Sequence, residues 1–302
     1  MKNAAFALFA ALSLVACPSD EEECSTVDEA ESFPDLAVIP GVIGPDDRFA
    51  EVVVPFSYTG TVALPVVFLL HGFGANASMQ DFLFKFGGRV NDDEFILVLP
   101  NGTPNESGQP HWNATDACCD FYDEQVDDVA YLTGLLDELE ERFRVDSNRV
   151  YFTGHSNGGY MSYRMACEIP ERIAGILPLA GATWLDDATC GATSGVAVLH
   201  VHGDEDPDVL YDGDVDYPSA QASVEVWAER GGCDITASTE GERLDLLNTI
   251  DGAETHVRNY TDGCGCGTDA TLWTIEGGSH VPPFTDAFAE HALAWLLERR
   301  IF

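Results

Sequence analysis

Apolar residues follow two patterns along this chain: short unbroken runs, and longer stretches with helical spacing. Residues 65–70 (Pro-Val-Val-Phe-Leu-Leu) and 95–99 (Phe-Ile-Leu-Val-Leu) are unbroken runs closed by His71-Gly72 and Pro100-Asn101-Gly102. Such runs, with no polar alternation, predict strands buried on both faces of a parallel sheet. Residues 173–179 and 196–201 read the same way. Shorter strands are expected at 149–153 and 272–275, and an early one within 48–58. Val126, Val129, Ala130, Leu132, Leu136, Leu139 and Phe143 recur at helical spacing and predict an amphipathic helix over 124–143. Asp127 and Asp128 fall in its first turn, where negative charge suits the helix dipole. Further helices are expected over 157–168 (stopped by Pro170), 219–230 and 285–299. Strands alternating with amphipathic helices imply an α/β fold, a mostly parallel sheet with helices on both faces. A chain of 302 residues, 45% hydrophobic, is enough for one large domain, and no internal repeat is visible.

The N-terminus reads differently. Lys2 precedes an apolar run over 4–16 that is too short to span a bilayer and predicts an export signal. Leu14-Val15-Ala16-Cys17 resembles the bacterial lipobox, in which cleavage before the cysteine leaves lipid on its sulfur. Ordinary cleavage near Ala16, with Cys17 incidental, is the alternative. The expected organisation is a lipoprotein-type signal peptide over 1–16, an acidic tether rich in Asp, Glu and Ser over 17–35, and a single folded domain over 36–302. That places the protein outside the cytoplasm, as a cell-envelope lipoprotein or a secreted protein. In such an oxidising compartment Cys24, Cys118, Cys119, Cys167, Cys190, Cys233, Cys264 and Cys266 are read as disulfide partners of open connectivity. Zinc is disfavoured because Cys264-Gly265-Cys266 lacks suitably spaced histidines.

Charge narrows the partners. Lys plus Arg total 14 against 52 Asp plus Glu, a formal net charge of −38. Nucleic acid is excluded, since its binding needs basic residues over phosphates. Charge-driven attachment to anionic lipid is excluded too, leaving membrane contact only through the lipid anchor. The surplus reads as a solvated acidic surface, with a preference for cationic or neutral substrates as the rival.

One segment carries strong chemistry. Gly154-His155-Ser156-Asn157-Gly158 follows a predicted strand directly and opens a predicted helix, the setting of a nucleophile elbow. The strained turn tolerates only small residues two before and two after the serine. A serine hydroxyl needs a base, and the expected chain order is serine, acid, histidine. His280, on the glycine-rich loop Gly277-Gly278-Ser279-His280 after a late strand, suits the base. His71 and His155 lie within motifs and read as structural. His200 and His202 share one side of a strand end, where loop support outweighs a metal pair. His111 and His256 are expected in loops and His291 in a helix. Asp204, Glu205, Asp206 and Asp208 all follow the 196–201 strand, and spacing alone does not choose among them. The oxyanion donors are expected to be the Asn157 N–H and the Phe73 N–H, the latter on the His71-Gly72-Phe73-Gly74 loop, where Gly72 and Gly74 permit close backbone approach.

These residues together resemble the polyhydroxybutyrate-depolymerase-like and feruloyl-esterase-like carbohydrate esterases of the α/β-hydrolase superfamily. The resemblance runs from about Val66 to the C-terminus. It rests on Leu70-His71-Gly72-Phe73-Gly74, Trp112-Asn113 with Cys118-Cys119, and Val126-Asp127-Asp128-Val129. It continues through Gly154-His155-Ser156-Asn157-Gly158-Gly159-Tyr160-Met161, His202-Gly203 with Asp206-Pro207, and Glu276-Gly277-Gly278-Ser279-His280. It implies an α/β-hydrolase catalytic domain, Asp206 as the acid, a Cys233–Cys264 disulfide, no metal or cofactor, and hydrolysis of polyester, hydroxycinnamoyl or acetyl-sugar esters. Where members often carry Thr-Trp-Pro after the histidine, this chain has Val281-Pro282-Pro283, so a substrate-facing tryptophan is missing; Trp184 is either an aromatic platform in its place or a packing residue, and Trp112 is a second candidate substrate contact. The rival readings are a peptidase of the same fold and a surface lipoprotein that binds a ligand in an inactive hydrolase pocket.

Overall fold

The computed structural model describes residues 41–192 and 194–302. The expected signal peptide, Cys17, the acidic tether and the first residues of the expected domain lie outside them. In chain order the elements are β1 (Gly41–Ile43), β2 (Ala50–Val53), β3 (Leu64–Leu70), α1 (Ala77–Phe84), α2 (Val90–Asp93), β4 (Ile96–Leu99), β5 (Thr103–Pro104), β6 (Pro110–His111) and α3 (Asp128–Arg142). They continue with β7 (Val145–His155), α4 (Asn157–Glu168), β8 (Gly175–Leu179), β9 (Ala197–Gly203), α5 (Ala220–Arg230), β10 (Thr239–Glu240), β11 (Thr255–Tyr260), β12 (Ala270–Ile275) and α6 (Asp286–Leu297).

The main sheet has ten strands in the order β1-β2-β4-β3-β7-β8-β9-β12-β11-β10. The strands from β4 to β12 in that order run parallel, and antiparallel strands close both edges. Strand β3 explains the layering. Val66, Phe68 and Leu70 pack with Leu132, Leu136, Leu139, Tyr163 and Trp227 of α3, α4 and α5. Val67 and Leu69 point the other way, into a cluster with Phe84 of α1 and Phe288 and Leu293 of α6. Alternate residues of one apolar run therefore feed two cores, which is why the run carries no polar position. Each such side chain contributes ~1.5–3 kcal/mol by leaving water.

Several local expectations shift. The helix expected from residue 124 begins at Asp128, because Asp127 caps it by accepting from the Ala130 N–H at 2.9 Å. Glu124 and Gln125 instead donate their N–H groups to Asp120, and Gln125 has φ 54°. Asp128 is more than a first-turn charge: it is buried, pairs with Arg48 and accepts from the Asn113 N–H at 2.6 Å. The Arg48 guanidinium also lies 3.7 Å from the Tyr131 ring centroid, so three segments meet on one half-buried cation. His111 and His256, expected in loops, lie on β6 and β11. Strand β11 (Thr-His-Val-Arg-Asn-Tyr) is half polar because it lies next to the sheet edge.

Candidate active site

The serine turn is built by close backbone contact. Strand β7 ends at His155, α4 starts at Asn157, and Ser156 between them has φ 55° and ψ −119°. A Cβ added at Gly154 or Gly158 would collide with the Leu70 carbonyl at the end of β3. The small residues thus seat the serine against the loop that follows β3. The Ser156 N–H donates to the Leu179 carbonyl at 2.8 Å, fixing the turn to the end of β8 as well.

The histidine and the aspartate arrive after neighbouring strands. His280, after β12, places Nε2 at 3.0 Å from Ser156 Oγ and Nδ1 at 2.7 Å from Asp206 Oδ2. Asp206 follows β9, and its carboxylate has no exposed surface. Burial alone would raise its pKa. Hydrogen bonds from His202, His280 and the Val209 N–H outweigh that and hold it well below the usual carboxylate range. The neighbouring acids separate clearly. Asp204, Glu205 and Asp208 are exposed, while Asp204 Oδ1 accepts from the Gly277 N–H at 2.7 Å and ties the histidine loop to β9. Gly203 and Gly278 lie backbone to backbone, so a Cβ on Gly203 would strike the Gly278 carbonyl. His155 braces the loop from the other side: its Nε2 donates to the His280 carbonyl at 2.7 Å. Burial, with His280 beside it, lowers the His155 pKa to about 4 and keeps that ring neutral.

The loop after β3 faces this group. Gly72 lies against the turn, where an added Cβ would be 3.2 Å from His155 Nδ1 and 3.5 Å from Ser156 Cβ. The buried His71 sets the loop's orientation: Nδ1 donates to the Gly72 carbonyl at 2.8 Å, and Nε2 accepts from the Gly102 N–H at 2.8 Å. The Gly72 carbonyl also accepts from the Ala75 N–H at 3.1 Å. In a trans peptide the Phe73 N–H then points the opposite way. Neither the Phe73 N–H nor the Asn157 N–H meets a backbone acceptor among the described residues. A serine hydroxyl hydrogen-bonded to an imidazole, beside two unspent N–H donors, can deliver an alkoxide and hold the oxyanion that follows.

Residues 59–222 match the phospholipase/carboxylesterase family of α/β-hydrolases. The chain belongs to that family. It is 25% identical over 240 residues to feruloyl esterase B of Piromyces equi, covering 75% of this chain and 41% of that protein. It is 28% identical over 188 residues to feruloyl esterase C of Emericella nidulans, covering 62% of this chain and 58% of that protein. The chain thus spans about half the length of these relatives. Among solved structures it resembles an acetyl xylan esterase from Aspergillus awamori (TM-score 0.61, 16% identity, 83% of this chain and 94% of that one). It also resembles a Bacillus cereus carboxylesterase (TM-score 0.52, 16% identity, 83% and 94%). At these identities the structures speak for the α/β-hydrolase fold.

Within this family member, two clefts meet at Ser156. One, of about 670 Å³, is lined by Phe73, Met79, Phe82, Leu83, Val281 and Pro282. The other, of about 500 Å³, is lined by Cys118, Cys119, Phe121, Tyr160 and Tyr217. Neither Trp112 nor Trp184 lines either cleft, which corrects the expectation that they meet substrate. Trp112 is fully buried: its Nε1 donates to the His71 carbonyl at 2.9 Å, so it supports the loop instead. Trp184 is packed in the core beside α4 and α5. Phe82 and Met79, missed in the sequence, supply the apolar rim at 86% and 59% exposure. They are three apart on α1, a helix whose Gln80 and Phe84 face inward; an apolar pair on the opposite side of that helix is the available signal.

The expected Cys233–Cys264 disulfide is formed, along with Cys167–Cys190 and the vicinal Cys118–Cys119. Two groups bring potential metal-ligand atoms within 4.8 Å of one another among the described residues: His111 with Asp120 and Glu124, and Asp206 with Asp208 and His280. In the second group His280 Nδ1 is already committed to Asp206.

Proposed function

We propose that this protein is a serine hydrolase of carboxylic esters, with Ser156 as nucleophile, His280 as general base and acid, and Asp206 as the group that orients the imidazole. The observation that carries the reading is the file Ser156 Oγ, His280 Nε2, His280 Nδ1, Asp206 Oδ2, with separations of 3.0 and 2.7 Å at its two contacts. His280 takes the serine proton as Oγ attacks the ester carbonyl. The Phe73 and Asn157 N–H groups hold the tetrahedral oxyanion, and Asp206 stabilises the imidazolium. His280 then protonates the leaving alcohol, and water releases the acid by the reverse route.

The substrate we assign carries an apolar or aromatic group beside the ester, as a hydroxycinnamoyl ester or a polyester does. The Met79, Phe82, Val281 and Pro282 lining supports this, because such a surface gains most by covering apolar area. We further propose that residues 36–302 are one catalytic domain. In this reading the enzyme is exported and held at the cell envelope by lipid on Cys17, on the strength of Leu14-Val15-Ala16-Cys17 and disulfides such as Cys167–Cys190 and Cys233–Cys264.

The test is hydrolysis by purified protein of p-nitrophenyl acetate, methyl ferulate, a hydroxybutyrate oligomer, an aromatic polyester film and an amino-acid anilide, with Ser156→Ala alongside. Ester turnover lost in Ser156→Ala is the expected result. No ester turnover by the folded protein would overturn the reading, and cleavage of the anilide alone would replace it with a peptidase.

A further inference from the structure

Behind the Asp206 carboxylate runs a file of buried polar side chains that ester hydrolysis as described does not use. Tyr163 of α4, and His200 and His202 of β9, are buried. Tyr163 Oη is 2.8 Å from His200 Nδ1, and His200 Nε2 is 3.0 Å from His202 Nδ1. His202 Nε2 is 2.8 Å from the Val209 carbonyl and 3.4 Å from Asp206 Oδ2.

The end of this file fixes its direction. A carbonyl only accepts, so His202 Nε2 carries a proton. In neutral His202 that makes Nδ1 an acceptor, and His200 Nε2–H must donate to it. His200 Nδ1 is then an acceptor, and the Tyr163 hydroxyl donates. Burial favours the neutral forms of His200 and Tyr163, lowering the pKa of the first and raising that of the second. Every donor in the file therefore points toward the turn that presents Asp206. The same turn completes the cradle: the Asp208 and Val209 N–H groups donate to Asp206 Oδ1 at 2.8 and 2.9 Å. That leaves Oδ2 to be shared between His202 and His280.

We propose that His202 and His200, backed by Tyr163, are positioning residues that set the direction and strength of the hydrogen bond between Asp206 and His280. The His202 N–H draws charge from Oδ2 and pins the 206–209 turn, so the carboxylate meets the imidazole with a fixed orientation and moderated basicity. The file couples α4, whose first residue adjoins the nucleophile, to β9, which carries the acid. One buried network thus holds both ends of the catalytic group in register. The inference rests on the ester-hydrolase reading only for its kinetic readout.

The test compares His202→Phe, which keeps the ring but removes both nitrogens, with His202→Gln, which keeps an amide donor near the Nε2 position. Tyr163→Phe removes only the far hydroxyl. For His202→Phe, kcat should fall about tenfold with KM within about twofold of wild type. The acid limb of its kcat/KM profile should rise by about half a pH unit, because a carboxylate that has lost a donor holds the His280 proton more tightly. Other groups facing Asp206 and His280, namely His155, Tyr160, Tyr217 and the exposed Asp204 and Asp208, are unchanged in all three variants. His202→Gln should recover most of the rate, and Tyr163→Phe should shift the limb in the same direction by less.

Equal losses in the Phe and Gln variants, or a loss of rate with an unmoved acid limb, overturn the proposal. Should His202→Phe fail to fold, a wild-type profile for Tyr163→Phe overturns it alone. The downfield proton resonance of His280 Nδ1–H is read in the same proteins without substrate, so this measurement stands whether or not any ester is turned over. The resonance should move in His202→Phe and hold in His202→Gln, and a fixed position in both overturns the proposal.

Discussion

Asn157 and Trp112 hold one another by a reciprocal pair of hydrogen bonds. The Trp112 N–H donates to Asn157 Oδ1 at 2.7 Å, and Asn157 Nδ2 donates to the Trp112 carbonyl at 2.8 Å. Both residues are fully buried. The side chain next to Ser156 therefore anchors the segment that supports the His71 carbonyl, linking the two proposed oxyanion donors. Asn157→Leu keeps the number and branching of side-chain heavy atoms but strands a buried N–H and a buried C=O. It should cost ~2–4 kcal/mol in urea unfolding, from two unpaired groups at ~1–3 kcal/mol each with some relaxation. An Asn157→Leu protein as stable as wild type would show that water or a shifted backbone replaces the pair.

Strain at the serine gives a second expectation. Ser156 sits at φ 55° and ψ −119°, a backbone region that suits glycine alone. Ser156→Gly removes the strain and the proposed nucleophile together. It should be more stable than Ser156→Ala by ~1 kcal/mol, about 2–4 °C in thermal midpoint for a domain of this size. Both variants should lose ester turnover by ~10⁴-fold or more. Identical melting of the two would mean that the turn is unstrained.

The elements legible in the sequence are those whose local pattern and tertiary role agree. The unbroken run ending at Leu70 is buried on both faces, and Gly154 and Gly158 are small because Leu70 lies against both. The disposition of Ser156, Asp206 and His280 follows from motif order and resemblance, since each lies on the turn or loop that follows a parallel strand. Aromatic roles are not legible. Trp112 and Phe82 are both large apolar residues, and only the three-dimensional path decides that one is buried under the loop while the other stands on a cleft rim. The start of α3 departs from the hydrophobic pattern for a related reason: Asp120 captures the N–H groups of Glu124 and Gln125, a hydrogen-bond arrangement with no hydrophobic period.

Buried histidines predict how stability responds to acid. The pKa values of His71 and His155 are both lowered to about 4, chiefly by burial, and burial holds that of His200 well below the ordinary 6.5. Their folded values lie below the ordinary 6.5, so between pH 6.5 and about 4 the unfolded chain takes up protons that the folded chain refuses. Their contribution to stability is full above pH 6.5 and is lost as pH falls through that window. Each histidine should give a slope approaching ~1.4 kcal/mol per pH unit. Urea unfolding between pH 7 and 5.5, above the main carboxylate range, should show stability falling with uptake of about two to three protons on unfolding. A flat profile there would mean that these rings take up protons in the fold as readily as in the unfolded chain.

The cleft rim separates substrate recognition from stability. Phe82 is 86% exposed, so it stabilises the fold little, yet it lines the larger cleft at Ser156. Phe82→Ala should change unfolding free energy by no more than ~0.5 kcal/mol. For methyl ferulate or another aryl ester, KM should rise about tenfold, since covering the ring with substrate is worth ~1.5 kcal/mol of apolar burial. The chemical step should be nearly unchanged, and an acetate ester too short to reach the rim should show no effect. Trp184→Phe supplies the opposite case. Buried at 8% exposure and outside both clefts, Trp184 should lose stability by ~1–3 kcal/mol on truncation, with no change in KM for any ester. If instead Trp184→Phe raised KM and Phe82→Ala did not, the apolar group of the substrate would lie on the α4–α5 side, and the assignment of the larger cleft would fall.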